Sequence, residues 1–418
     1  MTKTHELAAT ASGPLAGVRI IDMTTVVLGA YATCMLGDMG ADVVKVETAP
    51  NKHGVGGDIM RWAGKSPSGK GSGMGPIFMT INRNKRSITL DLKQEDDLAV
   101  LKDLLKTADV FTTNVRMQGL ERLGLAYEDV KALKSDIVYV HAAGYGSDGP
   151  YAGYPAYDDL IQATSGYADI QSLSDGKETP RFVPTLVADK GTGQMMAQST
   201  LAALFHKERS SEGQFVEVPM LETMSSIVLA EHLYGEVYEP ATGNFGYTRV
   251  TAPNRKPYKT KDGYIGIMPY SDNQWNDFFE LGGRGRLLEI DDRFTTYEAR
   301  TSNINLLYEM VEEVAQQKSS DEWLTLLRER DIPAMPVNRL QDLKQDPHMQ
   351  AVDFFQLFEH PTEGTYWNIK PPVKFSGSPS TIHRHPPKLG EHTQEVLSEA
   401  GIEGAVIEKI LNKQKPKG

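Results

Sequence analysis

Cysteine is almost missing from this chain: Cys34 is the only one in 418 residues. An internal disulfide and a cysteine-rich metal cluster are therefore excluded, and a reducing compartment fits. No stretch approaches the roughly 18 apolar residues of a membrane span. The opening "MTKTHELAATASGPLAG" lacks the apolar core of a secretory signal and reads as a frayed lead-in. A cytoplasmic location is expected. An excess of positive charge is missing too: 44 Lys and Arg face 55 Asp and Glu, for a net charge of −11. That balance argues against a protein that coats nucleic acid, but leaves room for a local basic pocket.

Several catalytic signatures are also missing. The ten histidines contain no H-E-x-x-H, and His383 and His385, in a Pro-rich tail, read as surface residues, so no metal is expected. The first strand-to-helix turn, "TTVVLGAY", has one glycine where the dinucleotide fingerprint G-x-G-x-x-G wants three, so Glu47 at the end of the next strand is weak evidence for a ribose-binding acid. "WAGKS" lacks the earlier glycine and the strand of a phosphate loop. "GYGSDG" does not match a nucleophile elbow and reads as a loop.

What is there is alternation. Apolar runs of strand length, Gly17–Thr24, Ala41–Glu47, Arg86–Leu92, Asp109–Asn114, Asp136–Gly146 and Gln214–Met220, alternate with helical patterns such as Glu95–Ala108. This spacing predicts crossover units and an open, mostly parallel Rossmann-like sheet, hence an α/β lobe. After about residue 225 the texture changes. Lys256–Tyr270 reads as a hairpin around a Lys-Asp-Gly turn, and two helical segments follow. The division predicted is a large lobe over 1–224, a smaller α+β domain over 225–325, and a return to the large lobe over 326–418, ending in one helix near Thr393–Leu411.

Two stretches invite chemistry. In "PTLVADKGTGQMMAQSTLAALF" a carboxylate, Asp189, sits between a short apolar run, read as a strand, and a Gly-spaced helix. It serves either as a helix cap or as a group that a substrate can reach. In "INRNKRSITLDLK", Arg83, Lys85, Arg86 and Lys93 form either a solvated face or a phosphate-reading patch.

Taken in order, "PLAGVRIIDMTTVVLGAYATCMLGDMGADVVKVE", "NRNKRSITLDLK", "ADVFTTNVRMQGLERLG", "PAYDDLIQATSG", "LVADKGTGQMMAQSTLAALFHKERSSEGQFVEVPMLE" and "PPKLGEHTQEVL" resemble the family III CoA-transferases, the group of formyl-CoA transferase and carnitine-CoA transferase. The resemblance runs from Pro14 to the last helix. It implies a large CoA-binding lobe built from both chain ends, a small middle domain and an interlocked homodimer. It also implies that Asp189 is the nucleophile of a CoA-transferase that moves CoA, as a co-substrate, from an acyl-CoA to a free carboxylic acid. Tyr157 and Asp158 align with the acyl pocket, and Tyr157 stands where the α-methylacyl-CoA racemase branch has a histidine base, which disfavours a racemase. CoA contacts align with Val26, Val27, Leu28, Leu90, Lys93, Asn114, Val115 and Arg122. The formyl-CoA transferase Arg after the second strand is Thr48 here and its first-turn Gln is Val27, so a substrate pair other than oxalate and formate is expected. From their own stretches, "GDIMRW" and "APNRKPY", Arg61 and Arg255 are either candidates to pair a second carboxylate of a dicarboxylic substrate or exposed surface residues. A racemase with another base and a non-catalytic CoA-binding protein stand as alternatives.

Overall fold

The structure is a computed structural model that describes residues 4–51, 53–69 and 72–414. The chain divides into two compact units: residues 1–161, 185–224 and 348–418 form one, and 162–184 with 225–347 the other.

The larger unit is built on β1 (Arg19–Met23), α1 (Leu28–Asp38), β2 (Asp42–Thr48), α2 (Pro76–Ile81), β3 (Lys85–Leu90), α3 (Glu95–Leu105), β4 (Val110–Thr113), α4 (Met117–Leu123), α5 (Tyr127–Leu133) and β5 (Val138–Ala143). It continues through the start of α6 (Asp158–Thr164), skips α7 (Tyr167–Asp175), and resumes with α8 (Val187–Ser210), β6 (Gln214–Pro219) and the start of α9 (Met220–His232). The six strands pair in parallel in the order β3-β2-β1-β4-β5-β6. The direction of winding reverses between β1 and β4, which leaves a crevice at the carboxyl ends of those strands.

The two faces of this sheet differ, as a period of two residues dictates. Ile21, Val44, Val46, Ile88 and Phe111 point into an apolar core with α3 and the C-terminal helices Thr393–Glu399 and Gly404–Gln414. Their neighbours Asp22, Lys45, Glu47, Lys85, Ser87 and Thr112 point the other way and are also buried. A fully covered parallel sheet ordinarily carries apolar residues on both faces. Here one face sets buried charges among the equally buried Ile20, Val43, Val110 and Val140.

Ion pairs inside the fold correct both readings of the basic stretch. Arg83 forms a bidentate pair with buried Asp38, at 2.6 and 2.8 Å. Lys85 reaches Asp22 at 3.4 Å, and Arg86 pairs with Asp42, Glu395 and Glu399. Three of the four cations neutralise carboxylates of the fold, and Lys93 alone is exposed. The C-terminal return is fastened partly through these pairs. The lead-in is fastened as well: Thr4 bridges to Leu357, and His5 meets Asp353 at 2.9 Å. His383 and His385 are half-buried rather than surface residues, with His385 bonded to the Tyr366 hydroxyl at 2.8 Å.

The smaller unit is wider than 225–325. Its three-stranded antiparallel sheet takes Tyr258–Lys259 and Tyr264–Ile267 from the predicted hairpin and closes with Ala334–Pro336, which carries the unit past residue 325. Its core gathers Trp275, Phe278, Phe279, Phe294, Tyr308 and Trp323. The predicted C-terminal helix is two helices, and Phe355–His360 with Gly364–Ile369 form a hairpin inside the Pro-rich section.

Candidate active site

The crevice holds a cavity of about 570 Å³. Its walls come from the turn after β1 (Thr25, Val26, Leu28), the segment after β4 (Asn114, Arg116, Met117), the end of β5 and the loop beyond it (His141, Tyr145, Tyr154, Tyr157), and β6 (Phe215, Glu217). Asp189 completes the wall.

No strand precedes Asp189: Pro184 to Leu186 is irregular, and α8 begins at Val187. Asp189 is the third helical residue, and the residue before the helix, Leu186, makes no side-chain cap bond. The carboxylate therefore lies in the first turn, where the helix dipole favours negative charge, and it faces the cavity. Burial, reinforced by the negative charge of Asp158, pushes its pKa up to about 6. Asp158 is 5 % exposed and accepts the Asp189 backbone N–H at 2.9 Å. One carboxylate thus anchors the turn that carries the other and also repels its charge. Packing fixes the helix: a Cβ on Gly193, one turn after Asp189, would lie 2.7 Å from the Leu28 carbonyl oxygen. Only glycine lets α8 come this close to the start of α1.

The turn after β1 is held from several sides. Asn114 accepts the Thr25 N–H at 3.0 Å and donates to the Thr25 carbonyl at 2.9 Å. Val26 has φ of +67°, a conformation costly for a β-branched residue. The cavity therefore gathers Val26, Leu28, Asn114, Tyr157 and Asp189 from the sequence-predicted set. Asp158 stands behind Asp189, Val27 is buried beside the turn, and the Val115 carbonyl meets His141 Nε2 at 3.0 Å. Leu90 is buried in the core, while Lys93 and Arg122 are exposed, and none of the three lines the cavity.

Arg61 is not placed to bind a substrate. It is 1 % exposed, forms a bidentate pair with Glu47 at 2.6 and 2.8 Å, and donates to the carbonyls of Gly73 and Pro387. Despite burial, its guanidinium holds Glu47 down to about 2. Glu47 is thereby committed to the fold rather than to a ribose. Arg255 is exposed in the other unit.

Sequence reasoning missed Arg116, His141, Tyr145, Tyr154, Phe215 and Glu217. The available signal was position: each lies on β5, on β6 or in a segment that leaves a carboxyl strand end, where ligands of open parallel sheets bind. Reading "GYGSDG" as a plain loop passes over Tyr145, yet Tyr145 and Tyr154 stack edge-on at 6.5 Å in the wall.

Strand order, crevice and a half-buried carboxylate at a helix start define a Rossmann-type α/β protein with a candidate site at the topological switch point. The chain belongs to CoA-transferase family III, whose family model matches residues 15–393. It is 31% identical over 391 residues to the succinate–glutarate CoA-transferase of Agrobacterium fabrum, covering 92% of this chain and 95% of that one. It is likewise 31% identical over 403 residues to the succinyl-CoA:mesaconate CoA-transferase of Haloarcula hispanica, covering 93% and 97%. A solved CaiB/BaiF family protein from Brucella suis superposes with a TM-score of 0.77 at 29% identity, covering 93% of this chain and all of that one. The protein is a CoA-transferase.

Proposed function

We propose that CoA passes from an acyl-CoA to a free carboxylate through Asp189. The carboxylate oxygen attacks the thioester carbonyl and the C–S bond breaks, giving an aspartyl mixed anhydride and CoA thiolate. The thiolate attacks the aspartyl carbonyl, which releases the first acid and leaves an enzyme–CoA thioester. The incoming acid attacks that thioester, and the thiolate returns to the acyl carbon of the new anhydride. Every intermediate stays activated, so no ATP is consumed. The observation that supports this reading is the placement of Asp189: in the cavity wall, at a helix start, with no capping duty and with its charge destabilised by burial. A poorly solvated carboxylate is the more reactive nucleophile.

Short dicarboxylic acids are the proposed substrates, since relatives bear the names of succinate–glutarate and succinyl-CoA:mesaconate CoA-transferases. Arg116 supplies positive charge to the cavity wall in place of Arg61. An interlocked homodimer in the cytoplasm completes the proposal. Met335 and Leu340, 69% and 90% exposed in the single chain, are apolar side chains that a partner would cover. The test is CoA exchange between succinyl-CoA and a panel of acids. Wild type should turn over and Asp189→Ala should lose at least about 10³-fold in kcat while still binding CoA. Exchange of the substrate α-proton with heavy water, without CoA transfer, would favour a racemase instead.

A further inference from the structure

The turn that carries Thr25 and Val26 into the cavity rests on a buried ion pair that the reaction itself does not call for. Lys45 Nζ lies 3.1 Å from Asp58 Oδ2, and both side chains are fully buried. Each partner also grips the turn. Lys45 Nζ donates to the Thr24 carbonyl at 2.8 Å, and Asp58 Oδ1 accepts the Val26 N–H at 3.1 Å, together with the Met60 N–H at 3.0 Å. Val26, at φ +67°, does not hold this shape by itself. Asp58 is fixed in turn by Glu47, which accepts its N–H at 2.9 Å and is clamped by Arg61. On the far side of the turn, the Leu28 carbonyl abuts Gly193, one helical turn from Asp189.

A buried ion pair gains little stability over apolar residues of the same volume. Its contacts here are with the backbone atoms that set the strained turn. We propose that Lys45 and Asp58 are positioning residues for CoA transfer, which hold Thr25 and Val26 in register with Asp189 so that the acyl-CoA presents its carbonyl to that carboxylate. This rests on the reading of Asp189 as nucleophile. It adds a function for the charged face of the sheet.

The test separates the turn contact from the charge. Lys45→Met/Asp58→Asn and Lys45→Met/Asp58→Leu both remove the ion pair, but only Asn keeps an oxygen that accepts the Val26 N–H. At equal folded concentration the Asn variant should keep at least about 10-fold more kcat than the Leu variant, and kcat and kcat/KM should fall together, as for lost alignment. A purely structural pair predicts equal kcat for the two variants, whatever their melting temperatures, and that result would overturn the proposal. If neither variant folds, amide exchange of the wild-type chain decides. Slow exchange of the Val26 N–H, matching β1, supports the proposal, and exchange at the rate of an open loop refutes it. Wild-type turnover in the same assay, with its loss in Asp189→Ala, keeps a failure here distinct from a failure of the nucleophile reading.

Discussion

At the scale of single residues, the two neighbouring carboxylates carry the account. As the proposed nucleophile, Asp189 must be ionised to attack, and its pKa is pushed up to about 6 by burial and by Asp158. The pH profile of kcat/KM should therefore have an acid limb near pH 6, since that ratio reports the free enzyme. Asp158→Asn keeps an oxygen for the Asp189 N–H but removes a charge, so the limb should move to lower pH; an unmoved limb would assign the shift to burial alone. Stability follows with the opposite sign. Folded Asp189 binds its proton up to about pH 6, whereas the unfolded chain releases it near about pH 4. The folded state holds more protons in that window, so stability is lost as pH rises through it. Asp189→Asn should accordingly be more stable than wild type by about 1–3 kcal/mol at pH 7.5 and no more stable at pH 4, as measured by urea unfolding. Asp189 was singled out as a candidate because a whole-chain resemblance pointed at it. Its electrostatic state was not legible, because that depends on how α6 and α8 approach one another. Arg61 shows the converse failure: an arginine reads as a free cation until the fold reveals Glu47 beside it.

At the scale of elements, α8 and the turn after β1 form the frame of the site. Gly193→Ala places a Cβ against the Leu28 carbonyl, so either α8 or α1 must shift. A loss of about 1–3 kcal/mol in urea unfolding is expected, with a drop in kcat larger than the loss of folded protein explains. A variant as stable and as active as wild type would show that this contact does not set the frame. The strands of the large sheet were legible because buried parallel strands make short apolar runs bounded by turns. The charged face was misread because Lys85 and Arg86 adjoin one another in sequence but point to opposite sides of β3, each toward carboxylates distant in the chain. The strand expected before Asp189 failed for a local reason: the apolar residues of "TLV" lie partly exposed at a helix start.

At the scale of the whole molecule, the middle unit was legible as a change of texture, but its edge was not. Ala334–Pro336 is a three-residue strand in a Pro-rich stretch, and only its pairing with Tyr264–Ile267 assigns it. The exposed apolar side chains of the same region lead to the prediction for assembly. Light scattering should give twice the chain mass at every concentration, because interlocked rings separate only when a chain unfolds. A dimer that dissociates on dilution while staying folded would contradict the interlocking, and a monomer that turns over would contradict the dimer as well.

The measurement that bears most directly on the central claim is covalent trapping. The protein is incubated with succinyl-CoA, quenched with hydroxylamine and mapped by mass spectrometry, since hydroxylamine displaces CoA from an aspartyl thioester and leaves a hydroxamate. That hydroxamate is expected on Asp189 and on no other carboxylate. CoA transfer at the full wild-type rate with an unmodified Asp189 would contradict the nucleophile reading.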